Sequence, residues 1–224
     1  MGSSTSTRLD RDISAHIPPS SAIGAIVSLR SEDDAVWNLA APHLAVRNND
    51  SHTLYAYGIA RALLRAIPEA DPEVVLPAIL LHDTGWSRVP DDQILEAIAP
   101  GGGRPDLVLH HEREGARIAR EVLTVLARPE RIIDRVVEII DGHDSRREAL
   151  SIEDAIVKDA DKTWRVTPHG IRIVCGWFEL TPDESLRITA ARVQDALFTP
   201  EAKAMAGALI SIASIDQAPQ RQGR

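Results

Sequence analysis

The stretch that decides the fold is residues 75–89, VLPAILLHDTGWSRV, in which an unbroken apolar run ends in His82 and Asp83. Asp71 and Pro72 stand just upstream, in the order typical of a helix N-cap followed by a proline in the first turn. A helix with apolar side chains on all faces is predicted to be buried, because it offers no polar face to water. An imidazole and a carboxylate at the end of a buried helix are destabilising unless polar partners surround them. Such partners are therefore expected elsewhere in the chain.

Helical patterns flank this stretch on both sides. Ser31 is interpreted as an N-cap before EDDAVWNLAAPHLA, and Ser151 as another, with acidic residues in its first turn. Within residues 48–67, spacings of three and four predict an apolar helical face, made of Leu54, Tyr57, Ala60, Leu63 and Leu64. The segment IRIVCGWF, residues 171–178, is the most strand-like but has no partner strand nearby in the chain. The predicted fold class is all-α, a helical bundle.

The length and the net charge of the chain limit the classes of function it can have. The chain has 224 residues, 44% of them hydrophobic, and a formal net charge of −8. We predict an N-terminal tail or arm over residues 1–30, one helical domain over 31–213 and a C-terminal tail over 214–224. The acidic balance argues against a nucleic-acid polymer as partner, because phosphate contacts need clustered Lys and Arg. No apolar run approaches the roughly 20 residues of a membrane span, and the single Cys175 favours a reducing, cytoplasmic compartment.

Histidine and aspartate recur along several predicted helices. The candidate ligands are His52, His82 with Asp83, His110 with His111, His143 with Asp144, and Asp159 with Asp161. A bundle can bring such residues to one interior point, because helices distant in sequence become neighbours in space. Imidazole nitrogen with carboxylate oxygen suits Fe, Mn, Zn, Co or Ni, whereas an all-oxygen set would suit Mg or Ca. We predict one or two divalent transition-metal ions, with the identity of the metal left open.

The order of these groups resembles the HD-domain superfamily of metal-dependent phosphohydrolases. The similar segments are NDSHTLYAYGIARAL, AILLHDTG, HHEREGARIAREVL, VVEIIDGHD and IVKDADKT, which together cover roughly residues 48–165. The resemblance implies a helical HD fold and selects His111 over His110 and Asp161 over Asp159. It also implies the ligand set, in which Asp83 bridges two metals: His52, His82, Asp83, Asp161 for one metal, and His111 with His143 for the second.

The remaining polar residues are assigned more ordinary roles. Asp144 and Asp159 are interpreted as outer hydrogen-bond partners or solvated groups, since a metal-bound histidine usually donates its other N–H to a carboxylate or carbonyl. Near the ligands, basic side chains are expected to hold phosphate charge; the candidates are Arg88, Lys158, Lys162 and Arg165. Residues 84–105, with a proline and a triple glycine, are expected to form a lid or a pocket wall.

The function that this pattern favours is hydrolysis of a phosphate ester of a small metabolite or nucleotide by a metal-activated water, with Asp83 in the catalytic centre. The expected partner is a small anionic substrate, and a homo-oligomer is left open. Trp86 departs from several HD groups, which place Lys or Glu there. Three alternatives remain: a di-iron oxygenase that cleaves a C–C or C–P bond, a nitrile hydratase of the cyanamide type, suggested by HTLYAYG at residues 52–58, and a non-catalytic ligand-binding HD module.

Overall fold

The apolar stretch around Leu76 forms the central helix of the protein. In the computed structural model, which describes residues 12–101 and 103–218, this helix runs from Pro72 to Leu81, and every side chain from Val74 onward is buried. Asp71 caps it by accepting a hydrogen bond from the main-chain N–H of Glu73 at 3.0 Å. The prediction of a buried helix is confirmed.

The described residues form ten α-helices and four short 3-10 helices, and no β-strand occurs among them. The α-helices are α1 Ser31–Ala40, α2 Asn49–Ala66, α3 Pro72–Leu81, α4 Asp91–Ile98, α5 Pro105–Val125, α6 Glu130–Ile140, α7 Ile152–Trp164, α8 Pro168–Phe178, α9 Pro182–Gln194 and α10 Pro200–Asp216. The 3-10 helices are Ser14–His16, Ser20–Ala22, Ala41–His43 and Thr84–Arg88. The all-α prediction is confirmed, and the strand-like segment 171–178 lies in α8.

Helix α3 is surrounded by α1, α2, α5, α6 and α7, which explains why it has no polar face. Helices α8, α9 and α10 pack beside this core, with α10 against α7. Asp159 of α7 joins the two parts. Its carboxylate accepts hydrogen bonds from the main-chain N–H groups of Phe198 and Thr199, both at 2.8 Å, and from the Thr199 hydroxyl at 2.7 Å. Asp159 therefore caps the start of α10.

The predicted apolar face of α2 is partly wrong. Tyr57, Ala60 and Leu63 are buried as expected, but Leu54 is 40% exposed. The buried face begins instead with Asn49 and His52 and continues through Thr53 and Ala56. Apolar spacing alone cannot reveal this rotation, because a polar residue occupies the inward position in the first turn.

Helix starts were predicted with mixed success. Ser151 caps α7, accepting from the N–H of Asp154 at 3.2 Å, as predicted. The Ser31 prediction is wrong: α1 begins at Ser31, and Arg30 precedes it as an N-cap without a side-chain cap bond. The Arg30 guanidinium instead pairs with Asp33.

The termini are described only in part. Residues 12–30 contain two 3-10 helices and no α-helix, and Val27 and Leu29 pack against the core. Helix α10 ends at Asp216, inside the segment predicted as a C-terminal tail. The predicted tail residues 1–11 and 219–224 lie outside the described residues. In the described part of the chain, no helix has the length and apolar character needed to cross a membrane.

Candidate metal centre

Two glycines allow the end of α3 to approach α5 closely. A Cβ atom on Gly85 would lie 1.8 Å from the main-chain oxygen of His111, and one on Gly115 would lie 3.1 Å from the oxygen of His82. Only glycine permits contact at this range between the turn after α3 and the helix. The approach places Asp83 beside His111.

The six residues predicted as ligands come together at this point, and all are buried. They arrive from separate elements: His52 from α2, His82 and Asp83 from the end of α3, His111 from α5, His143 from the turn after α6, and Asp161 from α7. His110, the alternative to His111, is exposed on the other side of α5. Asp159, the alternative to Asp161, caps α10.

One group of ligand atoms lies between α2, α3 and α7. The Nε2 atom of His52 is 3.3 Å from Oδ1 of Asp161 and 3.1 Å from Nε2 of His82. Oδ2 of Asp83 is 3.5 Å from Nε2 of His52 and 3.7 Å from Nε2 of His82. Four side chains therefore aim nitrogen or oxygen atoms into one small volume, which can hold a metal ion.

A second group lies on the other side of Asp83. Its Oδ1 atom is 3.8 Å from Nε2 of His111 and 3.6 Å from Nε2 of His143. The two oxygens of Asp83 thus face different pairs of histidines. This is the arrangement expected of a carboxylate that bridges two cations.

Asp144 belongs to this second group, which differs from its predicted role as an outer partner. Its Oδ2 atom is 3.7 Å from Nε2 of His111 and 3.8 Å from Nε2 of His143, within the range in which the three could share an ion. The sequence carries a signal for this position that we did not use, because residues 143–144 repeat the His-Asp pair of residues 82–83.

Two of the histidine rings, those of His82 and His143, are held with one nitrogen turned to the centre. Nδ1 of His82 donates to the carbonyl of Ile79 at 2.8 Å, and Nδ1 of His143 donates to the carbonyl of Ile140 at 2.9 Å. Each bond leaves the Nε2 lone pair directed inward. The Nε2 atoms of His111 and His143 are buried without a hydrogen-bond partner among the described residues. A bound cation would satisfy these nitrogens, so the side chains fit a metal centre.

The buried carboxylates and histidines of the centre shift one another's pKa values. Burial by itself would raise the pKa of Asp83, but His82 and His143 hold that pKa well below its usual range. Burial would lower the pKa of His143, yet the carboxylates of Asp144 and Asp83 raise it to about 9, so a cation that binds here must displace the proton from its Nε2 atom. Burial and the neighbouring His143 lower the pKa of His111 to about 4. The carboxylates are therefore anionic, as metal ligands must be.

Trp86, the departure from other HD groups, is part of this centre. It is buried, it stacks on His111 with ring centroids 3.9 Å apart, and its Nε1–H donates to Oδ1 of Asp83 at 3.1 Å. Its indole therefore orients both a histidine and the carboxylate between the two groups. No lysine or glutamate side chain takes this place.

Glu112, which the sequence analysis missed, fastens the turn that carries His143. Its Oε1 atom accepts from the main-chain N–H groups of Asp144 and Ser145, both at 2.8 Å, and its Oε2 accepts from the Ser145 hydroxyl at 2.7 Å. Because Glu112 directly follows His111, it links two ligands of the second group.

Two of the residues expected to hold phosphate lie elsewhere. The Nζ atom of Lys158 is buried and donates to the carbonyls of Gly142 and Arg146, both at 2.8 Å, and of His143 at 3.1 Å. Its three hydrogens are all used, so it stabilises the turn and has none left for a substrate. Arg88 is exposed and does not line the cavity over the centre.

Lys162 and Arg165 lie on opposite sides of the ligand Asp161. Lys162 borders a separate depression of about 350 Å³, which also touches Asp144. Arg165 lines the cavity over the centre, and its Nη2 atom is 3.9 Å from Oδ2 of Asp161. Arg165 is therefore the predicted basic residue that faces the site.

A cavity of about 290 Å³ opens directly onto the centre. Three arginines line it, of which Arg47 and Arg192 were not foreseen. Arg47 lies between the rings of Trp86 and Trp177, with its Cζ atom 5.3 Å and 4.7 Å from their centroids. Arg47 sits outside the ligand segments in a turn with positive φ, and no local pattern marks it. The expected pocket wall is present, since Ala97, Ile98 and Pro100 also line the cavity.

Comparison with known proteins agrees with this geometry. The family model of the HD domain matches residues 49–165, about half of the chain, from the first residue of α2 to just beyond α7. This span contains both groups of ligand atoms. A search of the curated proteins finds no match. The ordered motifs, the helical fold and the buried histidine–aspartate centre lead to one conclusion: the chain belongs to the HD domain family.

Proposed function

We propose that this HD protein is a metal-dependent phosphohydrolase that cleaves a phosphate ester of a small molecule. The observation that carries the proposal is the position of Asp83, whose two oxygens face separate groups of buried nitrogens. A bridged pair of cations suits phosphoryl transfer, because it can contact both the attacking and the leaving oxygen. His52, His82 and Asp161 would hold one cation, and His111, His143 and Asp144 the other.

Divalent cations bound there would supply an acidified water molecule and neutralise charge on the phosphoryl group. The protein side chains supply the rest. Arg47 and Arg165 line the cavity next to the centre, and their guanidinium N–H groups are suited to phosphoryl oxygens. Trp86 keeps Asp83 in the orientation that serves both groups. Burial of the ligands limits competing water.

The test uses the full-length protein, reconstituted separately with Mn, Fe, Zn, Co and Ni. Bound metal is measured by elemental analysis, and phosphate release is measured on a panel of phosphate monoesters and diesters. Asp83→Asn should lower the rate by about 100-fold or more and reduce bound metal, because an amide is a poor bridging ligand. His110→Gln, at the exposed neighbour of a ligand, is the matched control and should change neither quantity.

Persistence of both metal and activity in Asp83→Asn would contradict the proposal. Running the same assays with and without dioxygen separates the oxygenase alternative, since only an oxygenase consumes dioxygen. A non-catalytic module would bind metal and turn over none of the panel.

A further inference from the structure

We infer that the substrate is a phosphate monoester of a small, apolar, uncharged alcohol, an inference that rests on the proposed function and narrows its substrate class. The cavity has two unlike ends. The metal centre, with Arg47 and Arg165 beside it, forms the first. The second is a wall from α4, α5, α8 and α9, made of Ile98, Pro100, Val108, Val174, Phe178 and Ile188.

The polar end is built for a compact anion. Three carboxylates, Asp83, Asp144 and Asp161, face two arginines at this end, Arg47 and Arg165, so the side chains carry a net formal charge of −1. Two divalent cations would leave positive charge in excess. An excess of positive charge favours the dianion of a monoester over the monoanion of a diester.

Two unused donors lie at this same end. Nε of Arg47 and Nδ2 of Asn49 are both buried without a hydrogen-bond partner among the described residues, although Nη2 of Arg47 donates to Oδ1 of Asn49 at 3.1 Å. Nη2 of Arg47 is also 3.9 Å from Oδ2 of Asp83. Both residues line the cavity close to the metal centre, although these two atoms have no surface open to it. The remaining guanidinium N–H groups of Arg47 are the donors from which phosphoryl oxygens would accept.

The apolar end has few groups to read a nucleobase. The hydroxyl of Thr189 is already donated to carbonyls of its own helix, those of Ser185 at 2.7 Å and Leu186 at 3.1 Å. The Arg192 guanidinium reaches the carbonyls of Ile98 and Ala99, both at 3.4 Å. A base placed here would leave polar edge atoms unpaired, which weakens binding by about tenfold or more for each buried group.

The size of the cavity sets the size of the apolar body. Its volume of about 290 Å³ lies near the lower limit of typical ligand pockets, roughly 300 Å³. A phosphate with a ring or short branched chain fills that space.

The experiment measures binding of phosphonates that the protein cannot hydrolyse, using metal-loaded full-length protein and calorimetry. Phenylphosphonate should bind about 10–100-fold more tightly than methylphosphonate, because its ring is buried against the apolar wall. It should also bind more tightly than the phosphonate analogue of adenosine monophosphate, in which a methylene group replaces the ester oxygen. Ile188→Asn should abolish the preference, and an unchanged metal content would show that the variant folds. Ile212→Asn, at a position that is 61% exposed, is the control and should keep the preference for phenylphosphonate.

Equal binding of phenylphosphonate and methylphosphonate, or tighter binding of the adenosine phosphonate, would overturn the apolar substrate class while leaving phosphate recognition intact. A preference that survives Ile188→Asn would show that the wall does not carry it, and would overturn the inference as well. If no phosphonate or inorganic phosphate binds to protein with its full metal content, the proposed phosphohydrolase function itself fails.

Discussion

Removing Glu112 should loosen the second half of the metal centre selectively. Its carboxylate accepts three hydrogen bonds from Asp144 and Ser145, and it is only 1% exposed. A hydrogen bond to a charged group contributes about 1.5–3 kcal/mol. Glu112→Ala loses all three and leaves their donors unpaired, so after partial access by water we expect a loss of about 3–5 kcal/mol in the free energy of unfolding.

Glu112→Gln separates the acceptor atoms from the charge. Its amide oxygen can keep both main-chain N–H bonds, and its NH₂ group can donate to the Ser145 hydroxyl. Only the charge-assisted part is lost, so we expect a loss of about 1–2 kcal/mol. Glu121→Ala, which removes an exposed ion pair of the same helix, is the control and should lose at most about 0.5 kcal/mol.

Stability is measured by urea unfolding of chelator-treated protein. Metal content is measured on a separate sample by elemental analysis after reconstitution. Glu112→Ala should keep the metal held by His52, His82 and Asp161 and lose the second equivalent, because the turn with His143 is no longer fastened. The reasoning is refuted if Glu112→Ala is no less stable than Glu121→Ala, or if it binds as much metal as the unchanged protein.

Three further changes test the packing and charge assignments, each by urea unfolding. Lys158→Met should lower the free energy of unfolding by about 2–4 kcal/mol, because buried carbonyls lose their charged donor. Lys162→Met, on the next turn of the same helix, should change it by no more than about 0.5 kcal/mol. Equal effects of the two substitutions would contradict the structural role of Lys158. Gly85→Ala should lower the free energy of unfolding by at least about 3 kcal/mol, because the new methyl group clashes with the main chain of α5. Gly58→Ala, where the added Cβ meets nothing within 4 Å, should raise it by up to about 1 kcal/mol. A tolerated Gly85→Ala would refute the close approach. Burial raises the pKa of Glu153, but hydrogen bonds led by the N–H of Asp71 lower that pKa below 4.5, so the stabilisation from the carboxylate is present above this pH and lost as pH falls. Glu153→Gln should therefore lose about 1 kcal/mol in the free energy of unfolding at pH 7. A stability difference between the two proteins that stays constant down to pH 3 would contradict this.

Much of the centre was predictable because His82 and Asp83 end an apolar helix and because the resemblance to the HD family selected the other positions. A histidine and an aspartate that end an all-apolar helix have no ordinary role, and His111 is set apart from His110 by the glycine four residues on. The HD match spans nearly the range expected from those motifs. By contrast, Lys158 and Arg88 were chosen for charge and closeness in sequence, and neither property reveals where a side chain points.

The sequence by itself determined the helical class, the buried α3 and the set of histidines and aspartates able to meet, because helix periodicity and burial are local consequences of residue type. Only the tertiary structure decided which atoms face which. Helix rotation turned Leu54 outward and His52 inward, the approach at Gly85 brought Asp83 to His111, and the turn after α6 added Asp144. These outcomes depend on how helices distant in sequence pack against one another. Because the free energy of that packing is shared among many contacts, no single position in the sequence carries a recognisable signal for it.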